Sequence, residues 1–518
     1  METLGEIKSP LVEVEARLRN ITPSTLYADV WINPTTRNLT RVFNHLRTMQ
    51  RILYGYLPRQ VISTLPQPGF PSFEWVEGTL MFTDLSGFTP LLEKNAQHGK
   101  EGAQTLLKIL NGYFTEMLQI ISKSGGNLLE FTGDALLAQF PTDQRGSDTS
   151  RAVRAGLRMQ RAMKQFKKIE AMDETFSLGM RVGIHVGKFL TADIGTPHRM
   201  EHILLGSDVL RAKKAEGSGK VGKVCLSREA QELVKEEFKF KDHKGDHFLV
   251  VDDLTEEQLG DYDIVPSRTR MASMVLFDTS KEGLVTAISD SIDKVEPLAS
   301  FLPARILNML VENAARRGLP PDFPEATMMF VNLLGIPEDL SDAPEEDQAA
   351  VIGQFSRIIS LINAEIEAQG GVMKKVTYHH AGPDIMAFFG VPEAHTNDTI
   401  RAVRAAKEVL KIMRMNKEIK FGEETLQLTC HIGLTTGRVF AGEIGERQGR
   451  REFNVMGNMV NTAARLMDYA GSGKIIASEA VFKQIKKLYQ TEKLSDVKLK
   501  GRSSTLTLFE IGKDKKGT

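Results

Sequence analysis

Cysteine is nearly missing from this 518-residue chain, which has only Cys225 and Cys430. Two thiols so far apart give neither a disulfide framework nor a cysteine cluster for zinc, and both are expected as inert core residues. A surplus of one charge is missing too, with 66 Lys and Arg against 66 Asp and Glu. No positive field therefore favours nucleic acid or an anionic membrane, and a small anionic ligand needs locally placed groups. No run reaches the roughly 18 apolar residues of a membrane span. The opening METLGEIKSPLVEVEARLRN carries acids and lacks the apolar stretch of a signal peptide. These absences predict a cytoplasmic protein without a membrane span or a nucleic-acid partner.

What the chain does have is an internal repeat. RAVRA occurs at 151–155 and again at 401–405. At nearly the same offset, GTLMFTDLSGF (78–88) faces ATMMFVNLLGI (326–336), RVGIHVG (181–187) faces CHIGLTTG (430–437), and LLGSDVL (204–210) faces VMGNMVN (455–461). The copies differ in a complementary way: Asp84 faces Asn332, Leu210 faces Asn461, and Lys214 faces Arg465. A site shared between the two halves would look like this. The expected organisation is a helical lead-in over 1–77, a first domain over 78–255, a linker with the second lead-in helix over 256–325, and a second domain over 326–518. The lead-in motif YLPRQVISTL (56–65) is echoed by FLPARILNML (301–310).

Within the first repeat, TLMFTDL predicts a buried strand that breaks at SGF. The next helix places Ala103, Leu107, Leu110, Phe114, Met117 and Ile121 on one face. NLLEFT and ALLAQF flank Gly133-Asp134 as a hairpin, and the helix through RAVRA leads to the strand LGMRVGIHVG. That order predicts an α+β fold with helices on one sheet face.

Asp84 ends a strand before a turn of small and polar residues, and Asp134 sits at a hairpin tip. Two such carboxylates can converge on Mg²⁺, which prefers oxygen ligands and usually keeps substrate phosphates among them. The N–H groups from Leu85 through Ser86, Gly87, Phe88 and Thr89 open a helix and can cradle phosphate oxygens. Taken singly, each signal has an ordinary explanation: an Asp in a turn, a helix-surface pair at Asn461 and Arg465, a surface lysine at Lys500. His185, among glycines in a strand, is expected as a packing residue.

Taken together, FTDLSGFTPLLEK, FTGDALLAQF, MRVGIHVG and NVMGNMVNTAARLM resemble the signature segments of class III nucleotidyl cyclases. The likeness is greatest to the soluble, bicarbonate-regulated adenylyl cyclases and their bacterial tandem relatives. The resemblance implies two ferredoxin-like domains forming a pseudo-two-fold heterodimer within one chain, with ATP as substrate. It implies two Mg²⁺ ions, or Mn²⁺ in their place, at Asp84, Leu85 and Asp134. The triphosphate falls to Ser86, Gly87, Phe88, Thr89, Arg181 and Lys500, the ribose to Asn461, the transition state to Arg465 and the base to Asn454.

A degenerate second pocket is implied around Glu130, Lys213, Lys214 and Asn332, open to a small anion or a nucleotide regulator. The bicarbonate-binding lysine and arginine of the family correspond to Glu130 and Lys213, and a carboxylate at Glu130 opposes an anion. The base-contacting lysine falls near KKVTYHHAGPDIMAFF, with His380, Ala381 or Asp384 opposite it and Lys374 and Lys375 just upstream. The alternatives to an adenylyl cyclase are a guanylyl cyclase and a non-catalytic nucleotide-binding module.

Overall fold

The computed structural model describes residues 12, 14–142, 147–260, 278–316, 318–337, 339–379, 382–447, 449–497 and 505–515. Two mixed sheets have the same strand order. In the first, from one edge, the strands are Asn127–Thr132, Ala135–Pro141, Ser72–Ser86, Gly179–Thr196, Val224–Ser227, His247–Val250 and Phe240–His243. In the second they are Val372–His379, Gly382–Phe389, Glu325–Leu334, Thr429–Arg438, Ile475–Ser478, Leu506–Asp514 and Tyr489–Val497. Each sheet has a parallel pairing at the equivalent place, Gly179–Thr196 with Val224–Ser227 and Thr429–Arg438 with Ile475–Ser478.

Helices cover both faces of the first sheet, which corrects the expectation of one covered face. Successive strand residues point to opposite sides. Met81 packs with Ala103, Leu110, Phe114 and Met117 of the helix Gly99–Lys123. Leu80 and Phe82 instead pack with Val209 and Ala212 of the helix Ser207–Ser218. That helix lies against the sheet because position 183 is glycine: a Cβ there would run into the backbone of Ala215 and Glu216. Gly433 gives the helix Asn458–Tyr469 the same approach in the second repeat, where a Cβ would meet Ala463 and Met467.

The domains exchange arms. The first arm, formed by the end of Gly179–Thr196 and by Arg199–Leu205, places Leu190, Ile194 and Ile203 in the core of the second domain. The second arm, Phe440–Gly445 with Arg451–Met456, places Phe440, Ile444 and Met456 in the core of the first. Polar contacts fix both: Asn111 accepts from the Gly445 N–H at 3.0 Å and donates to the Glu443 carbonyl at 3.3 Å, while Ser356 accepts from the Gly195 N–H at 2.9 Å.

The helix Thr36–Tyr56, capped by the Thr35 hydroxyl, shares one apolar core with Lys281–Ala299 and Ala304–Asn313. Helices from before the first repeat and from between the repeats thus form one unit, packed on Phe388, Val439 and Val455 of the second domain. The two lead-in motifs differ in length, since the first makes only the five-residue turn Arg59–Ser63. Among the described residues one helix, Glu345–Ala368, is long and apolar enough by composition to cross a membrane. The sequence reading passed over it, and its Val351, Phe355, Ile359 and Ile362 lie in the core of the second domain.

Candidate active site

Asp84 lies two residues beyond Phe82 on the face that carries Ser207–Ser218. Its partner across the ladder is Arg181, two residues before Gly183 on the same face. The close helix crossing brings Glu216 to this point. Arg181 therefore bridges two carboxylates: one guanidinium nitrogen bonds Asp84 and Nε lies 2.8 Å from Glu216. Burial opposes the charge on Arg181, and the bond to Asp84 and the charge of Glu216 more than offset that.

Asp134 completes the cluster from the tip of the hairpin formed by Asn127–Thr132 and Ala135–Pro141. Its carboxyl is pushed up to about 7, by burial first and then by Asp84. Glu216 is also pushed up to about 7, by burial and by Asp84. Three carboxyl groups around one arginine leave excess negative charge, the condition a divalent cation relieves. Among the described residues no group of three or more His, Cys, Asp or Glu is arranged to hold a metal by itself. The residues fit a Mg²⁺ whose coordination other oxygens complete. Leu85 can offer only its backbone carbonyl, because its side chain, which is buried, is a hydrocarbon without a ligand atom.

The turn expected to cradle phosphate opens a helix in the first repeat. Gly87, at φ 86°, ends the strand and caps the helix Phe88–Ala96 without a side-chain bond, which leaves the first-turn N–H groups open. Glycine is required twice over: its φ lies in the left-handed region, and a Cβ would strike the Ser177 carbonyl. Phe88 is buried and anchors the turn, while Ser86 is half-buried and Thr89 is exposed. In the second repeat Gly335 also has positive φ, but Pro337 follows, and among the described residues no helix begins before Glu345. That pocket has no equivalent cradle.

The second domain reaches the cluster through its arm and the helix after it. Asn454, fully buried on the arm, donates to the Gly133 carbonyl at 3.2 Å and so grips the turn that carries Asp134. Gly457, which begins the helix Asn458–Tyr469, packs on Leu92 of the cradle helix; a Cβ would lie 3.5 Å away. Asn461 is exposed and Arg465 half-buried on that helix. Being four apart, they share a face. Lys500 lies outside the described residues, as do His380 and Ala381.

At the opposite pocket Asn332, fully buried, donates to Asp384 at 2.7 Å. Burial pushes the Asp384 carboxyl up to about 7, against the pull of the Asn332 bond and Lys213. Lys213 is therefore close enough to act on this pocket. Lys214 is exposed; Asp246, held below the usual carboxylate range mainly by Arg228, also feels it. Leu210 packs against the core of the second domain.

Glu130 is a correction to the expected second pocket. It lines a separate cavity of about 90 Å³ between the domains, together with Glu201, Lys374, Lys375, Arg450 and Glu452. A register shift between Leu128 and Glu130 turns it there, and an equivalent shift between Met373 and Lys375 does the same for Lys375. The two pair at 3.0 Å. Burial opposes the Lys375 charge, and Glu130 and Glu452 more than offset it. Sequence reading left the base-side lysine open between several residues. The matched shifts make Lys375 the register counterpart of Glu130, a signal that lies in strand pairing and not in motif spacing. Glu216 was also missed, although it stands opposite Met467 at the repeat offset that pairs Lys214 with Arg465.

Residues 73–255 and 320–512 each match the family described as adenylate and guanylate cyclase catalytic domain. Adenylate cyclase type 10 of Rattus norvegicus is 24% identical over 423 residues, covering 80% of this chain and 25% of the relative. The Homo sapiens protein of that name is 23% identical over 440 residues, covering 83% and 25%. The chain thus spans about a quarter of the length of these relatives. A class III adenylyl cyclase-like ATP-binding protein from Pseudomonas aeruginosa shares the fold across both domains, with a TM-score of 0.54 and 15% identity over 85% of this chain and 92% of that one. With both repeats matched, over well beyond half its length, this chain belongs to the class III nucleotidyl cyclase family as a tandem of two catalytic domains.

Proposed function

We propose that the chain is an adenylyl cyclase, converting ATP to 3′,5′-cyclic AMP and pyrophosphate at one composite site between its repeats. The observation that carries this is the complementary division of parts. The acidic cluster and the cradle stand on the first domain, and Asn454, Asn461 and Arg465 come from the second, at the arm and helix that contact the Asp134 turn and the cradle helix. The likeness to the type 10 adenylate cyclases supports ATP as the nucleotide. The proposed setting is the cytoplasm, where ATP is plentiful.

In this reading Asp84, Asp134 and the Leu85 carbonyl hold two Mg²⁺ ions, or Mn²⁺, which when bound would favour ionisation of the ribose 3′-hydroxyl and offset phosphate charge. The N–H groups of Ser86 to Thr89 bind the triphosphate, with Arg181 and Lys500. Asn461 orients the ribose for in-line attack on the α-phosphate. The bond to the bridging oxygen then breaks and pyrophosphate leaves. Arg465, permanently charged and forked, steadies the charge on the α-phosphate in a way that Lys214, a point charge, would not. Asn454 and Lys375 face the base. The second pocket, with Lys213 beside Asp384, takes a small anion or a nucleotide as regulator.

The test is product formation by the purified chain with ATP or GTP and Mg²⁺ or Mn²⁺. Arg465→Ala is expected to lower cyclic AMP output by roughly 10³-fold, the scale of a transition-state arginine. Asp84→Asn is expected to abolish it, and Lys214→Ala to stay near wild type. Equal losses at both pockets would sink the single-site reading. ATP binding without product under any condition would favour the non-catalytic module, and product from GTP alone the guanylyl cyclase.

A further inference from the structure

Arg181 is held from two sides, and only one of its partners belongs to the metal-binding pair. We propose that Glu216 is a positioning residue that keeps Arg181 in the site when Asp84 releases it to a metal ion. This rests on the reading of Asp84 as a metal ligand.

A carboxylate oxygen that bonds a guanidinium cannot give the same lone pair to a cation, so metal and Arg181 compete for Asp84. An incoming divalent ion also repels the guanidinium. With Asp84 as its only anchor, Arg181 would either block the ion or leave the site. Glu216, on the helix Ser207–Ser218, stands on the other side as an ion-pair partner 2.8 Å from Nε and is nine-tenths buried. It leaves the terminal nitrogens of Arg181 to turn from Asp84 toward the triphosphate. The close helix crossing at Gly183 fixes its backbone, so the anchor is part of the scaffold.

The second repeat, whose pocket has lost the metal carboxylate, lacks both members. His431 stands opposite Asn332 where Arg181 stands opposite Asp84, and Met467 occupies the place of Glu216. Among the described residues the pair stands beside Asp84 and not beside its neutral counterpart Asn332.

The experiment is Mn²⁺ binding to the full chain without nucleotide, followed by the paramagnetic signal of the free ion. Glu216→Gln is expected to weaken binding by about tenfold, the size of coupling within one charged network. Loss of a negative charge would also weaken binding through the general field, so the same substitution is made in an Arg181→Gln background. If Glu216 acts through Arg181, it has little effect there. An equal effect in both backgrounds, or none in the native one, overturns the proposal.

Arg181→Gln alone is expected to tighten Mn²⁺ binding, since Asp84 loses its competitor. Weaker binding overturns the proposal even if Glu216→Gln fails to fold. In turnover, Glu216→Gln is expected to raise the Mg²⁺ needed for half the maximal rate more than it lowers that rate. Mn²⁺ binding unchanged by Asp84→Asn would overturn the metal reading and this inference together, whereas loss in Asp84→Asn with no effect of Glu216→Gln overturns the inference alone.

Discussion

Asp384 is buried and accepts a bond from the neutral amide of Asn332. A carboxyl ionises near 3.8 when solvated and here near 7. Between those values the folded chain keeps a proton that the unfolded chain has lost, so stability falls as pH rises from about 4 to about 7. Asp384→Asn removes this dependence and keeps a bond to Asn332 available. The variant is expected to gain on wild type as pH rises, with a larger advantage in melting temperature at pH 8 than at pH 5, as thermal unfolding at the two values will check; an advantage that does not widen would refute the account. The residues of this pocket were legible as a pattern of losses, because Asn332 opposite Asp84 is visible in one line of sequence. Glu130 was not, because a single register shift decides which space it faces. The thiols of Cys225 and Cys430 did turn out buried, with burial pushing both up to about 12.

Among elements, the helix Ser207–Ser218 decides whether Glu216 and Arg181 meet. Gly183→Ala would drive a methyl group into that helix, whereas Gly217→Ala, on the helix itself, meets nothing within 4 Å. The first is expected to cost about 1–3 kcal/mol, as overpacking does, and to remove most of the proposed cyclase activity. The second is expected to be neutral or to stabilise by about 0.5–1 kcal/mol. Denaturant unfolding of both variants, with activity measured alongside, checks the pair; similar costs for the two would show that the crossing is not tight. Strands and long helices were readable because alternation and helical spacing follow directly from backbone geometry. The second covered face of the sheet was not, since LLGSDVLRAKKAEG has a weak apolar stripe and its packing depends on Gly183, outside that segment. That no helix begins between Gly335 and Glu345 among the described residues was equally hidden, although Pro337 already marked the change.

For the molecule as a whole, the two arms commit each repeat to the other. If both sets of catalytic residues are drawn from a single chain, an Asp84→Asn chain and an Arg465→Ala chain mixed or co-expressed should not restore cyclic AMP production. Recovery of a quarter or more of wild-type activity would mean that arms pass between chains. The tandem arrangement was clear from the repeat of RAVRA and its flanking segments. That the helices before the first repeat and between the repeats share one core was not, because helical periodicity shows which face is apolar without showing what covers it.

The exchanged arms also bear on synthesis. Phe440, Ile444 and Met456, which finish the core of the first domain, leave the ribosome more than 180 residues after that domain's own last strand, which ends at Val250. Until then the nascent first domain shows solvent the apolar seat they will fill, and the seat of an arm on a neighbouring chain is chemically the same. The interval between the two is when a chaperone has most to protect, and slowing translation between the repeats should increase aggregation without touching a residue of the finished site.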